Sequence, residues 1–199
     1  MTEPMPTAAR EARRRAILDA AIQAFAENGF FASRTRDIAA RAGVAEGTIY
    51  LYFTGKDDLL LTAFREKVQE FCDTVQSILA QELSFPKRLE RFIELQFESI
   101  EAQPALATVL LLESRQSTKF YGGAVRDVLR LYATAIDELL ASGAREGALR
   151  PGADLPLARR VLIGALEEVE VEWLLGDRTR RLVRLAPRLA ETLYAGLKP

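Results

Sequence analysis

The feature that most constrains this chain is the stretch from Thr35 to Lys56, in which two short helical patterns flank a glycine. Thr35 is suited to cap the first helix. Gly43 can adopt the left-handed conformation that ends it. A second helix, predicted over residues 45–52, is too short to be stable alone and must pack against its neighbours. The stretch therefore predicts a helix-turn-helix, whose second helix can lie in the major groove of DNA.

Residues at fixed positions in this stretch also carry a family resemblance. The matching positions are Thr35, Ile38, Ala39, Ala42, Gly43, Val44, Gly47, Thr48, Ile49, Tyr50, Tyr52, Phe53, Lys56 and Leu59. The stretch resembles the DNA-binding motif of TetR-family transcriptional regulators. The resemblance implies DNA contact by the residues that match the contact positions of the family, namely Thr35, Thr48, Tyr50, Tyr52 and Lys56.

Residue chemistry extends the predicted DNA-binding set. Small side chains let the backbone approach DNA, tyrosine hydroxyls suit phosphates or base edges, and a lysine at a helix start can pair with phosphate. Glu46 either accepts from the N4 amine of cytosine or caps the recognition helix. The predicted set is Thr35, Arg36, Ala45, Glu46, Gly47, Thr48, Tyr50, Leu51, Tyr52 and Lys56. The basic cluster Arg10, Arg13, Arg14 and Arg15 is either a solvated helix end or a flanking phosphate contact.

The rest of the chain predicts an all-α protein of about nine helices, since no stretch alternates with period two. The expected helices beyond the motif span about 7–28, 56–80, 87–102, 105–112, 124–142, 156–175 and 179–197. Pro187 either kinks the last helix or marks its true start. We expect a DNA-binding domain at 1–55, with the helix-turn-helix at about 32–53, and an effector-binding and dimerisation domain at 56–199.

Composition excludes several functions. The chain has no histidine and one cysteine, Cys72, which removes triad catalysis, intrachain disulfides and the commonest metal ligand. No constellation of acid–base or metal-binding residues indicates an enzyme. The net charge of −1 argues neither for nor against DNA. No apolar run is long enough for a membrane span or a signal peptide, so we expect a soluble cytoplasmic protein. With no histidine and one cysteine, we also expect no cofactor and no metal.

The resemblance to TetR-family regulators implies that the helices after the motif bind a small effector. The segments LLLESRQS and REGALRPGADLPLARRVLIGALEEVEVEW resemble the FadR-type branch of the family, which represses fatty-acid degradation genes and responds to long-chain acyl-CoA. An acyl chain needs an apolar tunnel, and the phosphates of coenzyme A need cations. The predicted ligand residues are Phe64, Phe71, Phe92, Leu110, Arg115, Gln116, Leu131, Arg150 and Trp173.

Three other functions stay open at this point. The first is a drug-responsive repressor of an efflux system, which acidic side chains of Glu167, Glu168 or Glu170 in a pocket would favour. The second is a small helical enzyme. The third is a ligand-free module that recruits partners, which predicts a filled domain without a cavity.

The charges of the last two predicted helices suggest how two copies pair. Acidic residues crowd the first of these helices and arginines crowd the second. We expect a homodimer whose apolar stripes face inward and whose opposite charges lie at the rim, since two-fold symmetry presents two recognition helices to a palindromic operator. The predicted dimerisation residues are Leu162, Leu166, Leu182, Leu185, Leu189 and Leu193.

Overall fold

A computed structural model describes residues 7–113 and 124–199, and in these residues the chain is helical with no strand. The helices are α1 (Thr7–Asn28), α2 (Thr35–Arg41), α3 (Glu46–Ile49), α4 (Lys56–Leu79), α5 (Phe85–Ala102), α6 (Pro104–Thr108), α7 (Ala124–Arg145), α8 (Leu155–Leu175) and α9 (Ala186–Ala195). A π-helical turn, Val109–Glu113, follows α6, and a 3₁₀ turn, Leu182–Leu185, precedes α9. None of the helices in these ranges is long and apolar enough to cross a membrane. The predicted all-α class is confirmed.

The recognition helix and the last helix are both shorter than predicted. The recognition helix α3 spans only Glu46–Ile49, and residues 50–52 form a turn. The last helix begins at Ala186, with Pro187 in its first turn, so the proline marks a true helix start instead of a kink. A proline is tolerated there because the first amides of a helix have no intrahelical acceptor.

The chain divides into two compact units. Unit 1 comprises Met1–Glu66 with Ala105–Phe120, and unit 2 comprises Lys67–Pro104 with Tyr121–Pro199. The division falls within α4, eleven residues after the predicted boundary between residues 55 and 56. That predicted boundary stays a prediction.

Unit 1 is built on α1, α2 and α3, with α2 packed against both of the others. Ile17 and Phe25 of α1, Ile38 of α2 and Ile49 of α3 are fully buried. Gly43 has a φ of 67°, the left-handed conformation predicted for the turn after α2. Because every short helix contributes an apolar residue to one core, tertiary packing holds elements that are too short to be stable alone.

Unit 2 is built around α5, which packs against α7, α8 and α9, while α7 packs against α8. Its core contains the rings of Phe85, Phe92 and Phe97, all buried. Gly143 of α7 lies against the Phe85 ring, and a Cβ added there would stand 2.7 Å from Phe85 Cγ. A side chain at this position would therefore force the core apart.

Candidate DNA-binding face and effector site

The recognition helix presents a small exposed surface over one buried anchor. Ile49 is fully buried, whereas Tyr50 is 55% exposed and Leu51 is 74% exposed. Gly47 is exposed and its α-carbon faces open space, so the backbone of α3 is accessible there. Ala45, Glu46 and Arg36 are exposed as well. The sequence-predicted contact residues on α3 thus lie on the accessible side of a helix that Ile49 fixes to the core.

Three polar side chains of α2 and α3 form a hydrogen-bonded cluster on this face. The Thr35 hydroxyl donates to Glu46 Oε1 at 2.7 Å and lies 3.3 Å from the Tyr50 hydroxyl. Arg34 precedes α2 as its N-cap and Thr35 is the first helical residue, so the predicted capping role of Thr35 is wrong. Glu46 is the first residue of α3 and its N-cap is Ala45, so the structure gives Glu46 no capping bond. The cluster instead orients the Glu46 carboxylate.

Lys56 is engaged by the protein. Its ammonium donates to the carbonyl oxygens of Phe30 at 2.9 Å, Phe31 at 3.0 Å and Ser33 at 3.3 Å. It also lies 4.8 Å from the centre of the Phe30 ring. An ammonium has three protons, and all three are directed at protein acceptors. Lys56 therefore ties the loop between α1 and α2 to the start of α4, and its predicted phosphate contact stays a prediction.

Part of the basic cluster on α1 has partners within unit 1. The Arg14 guanidinium pairs with Glu66 of α4 and with Glu11, and it lies 5.6 Å from the Phe53 ring centre. The Arg10 guanidinium lies 6.0 Å from the ring centre of Tyr52. These contacts fix α1 against the segment that follows the recognition helix.

The predicted ligand residues do not form one described group. Phe64 and Leu110 belong to unit 1, whereas Phe71, Phe92, Leu131, Arg150 and Trp173 belong to unit 2. Arg115 and Gln116 lie outside the described residues. The Trp173 side chain is partly exposed and its indole N–H donates to the Arg180 carbonyl at 2.8 Å.

Two of these residues, Phe71 and Phe92, meet at an aromatic centre in unit 2. The rings of Phe71 and Phe92 stand edge to face with centroids 5.5 Å apart, and Phe71 lies 5.6 Å from the ring of Tyr132. The Cys72 thiol, which burial gives a pKa of about 11, donates to the Leu131 carbonyl at 3.7 Å. A thiol with this pKa is protonated and unreactive at neutral pH.

A buried carboxyl group lies beside this centre. Glu170 of α8 is only 1% exposed and accepts a hydrogen bond from Gln96 Nε2 at 2.9 Å. Burial, with a smaller contribution from the charge of Glu167, raises the pKa of Glu170 to about 8, although the Gln96 bond opposes the shift. The sequence left Glu170 open between a ligand pocket and a charged rim, and it did not predict a buried carboxyl hydrogen-bonded to Gln96. The signal was present, because Leu162, Leu166, Glu170 and Leu174 repeat every four residues and all four are buried.

The predicted dimerisation stripe needs correction. Leu162, Leu166 and Leu182 are buried within the single chain, so a second copy cannot reach them. The apolar residues that α8 exposes are Leu157, Val161 and Leu175, and Leu185 is exposed before α9. Leu189 and Leu193 are partly buried. Three of the six predicted leucines therefore face the core, and pairing of two copies through the last two helices stays a prediction.

A half-open apolar cleft of about 180 Å³ lies between the ends of α5, α7, α8 and α9. Leu162 and Leu193 lie in it beside Leu157 and Val161, and the exposed Arg150 is part of its lining.

Among residues 7–113 and 124–199, no group of three or more His, Cys, Asp or Glu side chains is placed to hold a metal ion.

A three-helix unit with an exposed recognition helix, followed by a larger helical unit, defines a helix-turn-helix transcriptional regulator. Two family models match the chain. "Bacterial regulatory proteins, tetR family" matches residues 17–63, and "YsiA-like protein, C-terminal region" matches residues 64–196. The chain therefore belongs to the TetR family of bacterial regulatory proteins. It is a DNA-binding regulator, as the motif predicted, and it acts as a dimer and not as an enzyme.

Similar proteins cover nearly the whole chain. The fatty acid metabolism regulator protein of Bacillus subtilis is 34% identical over 181 residues, which is 91% of this chain and 93% of that protein. The crystal structure of the regulator FadR from B. subtilis in complex with stearoyl-CoA has a TM-score of 0.86, at 33% identity over 92% of this chain and 98% of that one. FadR from Bacillus halodurans has a TM-score of 0.88, at 33% identity over 98% of both chains. The resemblance to the FadR-type branch is confirmed.

Proposed function

We propose that this protein is a repressor of fatty-acid degradation genes that a long-chain acyl-CoA releases from a palindromic operator. The observation that carries the proposal is the likeness, at one third identity over almost the full chain, to a FadR solved with stearoyl-CoA. The aromatic centre of unit 2 supplies apolar surface that an acyl chain requires. An effector acts if it binds more tightly to the conformation that fits DNA poorly.

The predicted domains and site residues enter this proposal with one change. Residues 1–55 would bind DNA through the α2–α3 face, and residues 56–199 would bind the effector and the second copy. For the dimer we propose the exposed residues Leu157, Val161 and Leu175 of α8 in place of the buried leucines. A regulator of chromosomal genes works where the chromosome is, so we propose the cytoplasm as its location.

The test is release of operator DNA. The purified protein is first used to select its operator from random DNA, and the complex is then titrated with palmitoyl-CoA, free coenzyme A and a cationic dye in gel-shift assays. We expect release by micromolar palmitoyl-CoA and none by coenzyme A. Continued operator binding at saturating palmitoyl-CoA would reject the acyl-CoA proposal, and release by the dye alone would favour the drug-responsive alternative.

One observation bears on the drug-responsive alternative. A buried carboxylate favours a cationic ligand, and Glu170 is a buried acid in unit 2. Its pKa of about 8 leaves most of the Glu170 population uncharged at pH 7, however, so the group is not a standing anion. The buried acid therefore suits a neutral polar atom better than a cation.

A further inference from the structure

Four helices of unit 2 converge on one polar group inside an apolar centre. Gln96 of α5 donates to Glu170 Oε1 of α8 at 2.9 Å, and its own Oε1 accepts from the Tyr132 hydroxyl of α7 at 3.4 Å. The ring of Phe71 of α4 lies 5.6 Å from the ring of Tyr132, tilted by 46°. The Gln96 amide is thus fixed at both ends, because its oxygen has a donor and its nitrogen has an acceptor.

The second carboxyl oxygen of Glu170 has no such partner. Among residues 7–113 and 124–199, no hydrogen bond to Glu170 Oε2 accompanies the Gln96 bond to Oε1. Within the same residues, the only fully enclosed side-chain nitrogen or oxygen without a hydrogen-bond partner is Arg88 Nε. Because Glu170 Oε2 also has no partner, it must retain some accessible surface. A side chain that is 1% exposed therefore directs one free polar atom at accessible space. Buried polar atoms in proteins are normally paired, so this atom requires an explanation.

Protonation determines what the free oxygen can do. Burial raises the pKa of Glu170 to about 8, so at pH 7 the carboxyl carries its proton. Because Oε1 accepts from Gln96, the proton resides on Oε2, which then acts as a donor. The complementary ligand atom is a neutral carbonyl oxygen at the end of an apolar chain.

We propose that Glu170 Oε2 donates a hydrogen bond to the thioester carbonyl of the bound acyl-CoA, with Gln96 as the positioning residue that orients the carboxyl. The inference rests on the proposed function and adds the contact that recognises the ester. A long acyl chain is apolar up to this carbonyl, which is the first polar atom it offers to an aromatic centre.

The same contact distinguishes a thioester from a free fatty acid. A thioester is uncharged, whereas a fatty-acid carboxylate would place a negative charge beside Glu170 and near Glu167, whose charge already acts on Glu170. Because Glu170 itself is protonated at pH 7, the unfavourable contribution comes from burying the carboxylate charge and from its repulsion by Glu167. The free acid is therefore expected to bind more weakly than its coenzyme A thioester, beyond any contact made by the coenzyme.

The test compares two ligands that differ only at the carbonyl. Palmitoyl-CoA carries the thioester, and S-hexadecyl-CoA is the thioether with the same chain length and a methylene in place of the carbonyl. Isothermal titration of the full chain measures both dissociation constants. We expect wild-type protein to bind the thioester about fivefold more tightly, the effect of one neutral hydrogen bond.

Substitutions at Glu170 test whether it is the source of this preference. Glu170→Leu is expected to remove the preference, whereas Glu170→Gln, which keeps an uncharged donor, is expected to retain it. Glu168→Leu changes an exposed neighbour on α8 and should leave the wild-type ratio unchanged. Circular dichroism confirms that each variant folds, and Glu170→Leu replaces a buried acid with a side chain suited to an apolar core.

The pH dependence supplies a readout that a merely structural role would not change. The groups near Glu170 are Tyr132 of α7, Glu167 of α8 and the neutral Gln96 of α5, and Cys72 of α4 lies near Tyr132. The pKa of Tyr132 is raised well above its usual value and that of Cys72 is about 11, so neither loses its proton between pH 7 and 9. We expect the preference for the thioester to vanish as Glu170 ionises above pH 8 and to persist in Glu170→Gln.

The outcomes separate this inference from the proposed function. If wild-type protein binds neither coenzyme A compound, the proposed function fails and this inference falls with it. If it binds both equally, or if Glu170→Leu weakens both to the same extent, acyl-CoA remains the effector and the thioester contact is rejected. If the preference for palmitoyl-CoA over S-hexadecyl-CoA is abolished only in Glu170→Leu, the thioester contact is supported.

Discussion

The two units of this protein use polar side chains in opposite ways. On the α2–α3 face of unit 1, Thr35 hydrogen-bonds to Glu46 and to Tyr50 at the surface, and these groups stay open to a large polar partner. In unit 2, Glu170 is withdrawn from water among aromatic rings and keeps one oxygen free. The polar groups of the surface cluster keep their hydration, so little free energy is lost in placing them there. The buried carboxyl of Glu170 loses its hydration and is therefore protonated. This difference fits a DNA-binding role for unit 1 and the binding of a largely apolar molecule for unit 2.

The largest effect is expected from removing the titratable group of unit 2. Between its ordinary pKa of 4.5 and its folded value of about 8, Glu170 retains a proton that the unfolded chain releases. The free energy of unfolding must then fall as pH rises through this window, by at most about 1.4 kcal/mol per pH unit. Below pH 4.5 both states are protonated, and above pH 8 the loss is complete. Glu170→Gln should therefore gain stability over wild type from pH 5 to pH 8.

Urea unfolding at pH 5 and pH 8 measures this gain. Glu168→Gln, an exposed neighbour on the same helix, provides the control and should show the same stability difference from wild type at both pH values. Parallel stability curves for wild type and Glu170→Gln would mean that Glu170 is solvated, and the contrast between the two units would disappear.

In unit 1 the corresponding test is Lys56→Met, which keeps the aliphatic stem over Phe30 and removes the ammonium. Three carbonyl oxygens, those of Phe30, Phe31 and Ser33, lose their donor. We expect the unfolding free energy to fall by about 2 kcal/mol, together with weaker operator binding. Denaturant unfolding and fluorescence anisotropy with labelled operator measure the two quantities.

Arg36→Met is the matched control, because Arg36 is exposed and its ion pair is a 3.6 Å contact to the adjacent Asp37. Its unfolding free energy should stay within about 0.5 kcal/mol of wild type. If Lys56→Met loses operator affinity with unchanged stability, Lys56 reaches a phosphate on binding and the sequence prediction is right.

The prediction from sequence succeeded where neighbouring residues determine the structure. The bounds of α1 and the left-handed turn at Gly43 follow from residues within a few positions. Lys56, in contrast, bonds to carbonyls 23 to 26 positions earlier in the chain. The residues next to Lys56 give no indication of these long-range partners. Glu170 was grouped with its acidic neighbours by charge, although its spacing from Leu166 and Leu174 places it on the buried face. Helical spacing was the better guide to its position.

The same chemical change can be made in both units at tyrosines. Tyr50→Phe removes an exposed hydroxyl from the DNA face, and we expect operator affinity to fall about fivefold with stability unchanged. Tyr132→Phe removes a partly buried hydroxyl that donates to Gln96, and we expect operator affinity without effector to stay at the wild-type value. Anisotropy titrations of both variants make the comparison. Equal losses of operator affinity would show that the two units do not divide their tasks in this way.

The smallest effect is expected from Thr35→Val, which removes only the hydroxyl that orients Glu46. A carboxylate held by Thr35 offers its second oxygen in a fixed direction, which suits the amine of a cytosine in the major groove. Without the hydroxyl, we expect operator affinity to fall about twofold and the base preference at one position of each half-site to relax. Glu46→Ala should relax the same position further.

Selection of operators from random DNA, followed by sequencing, measures the base preference of each protein. Thr74→Val is a suitable control, because the Thr74 hydroxyl on α4 bonds to the Glu70 carbonyl of its own helix and lies in unit 2. It should select the wild-type operator. If Thr35→Val and Glu46→Ala also select that operator unchanged, the cluster stabilises the α2–α3 turn and does not read a base. The surface polar groups of unit 1 would then be structural, as Lys56 is.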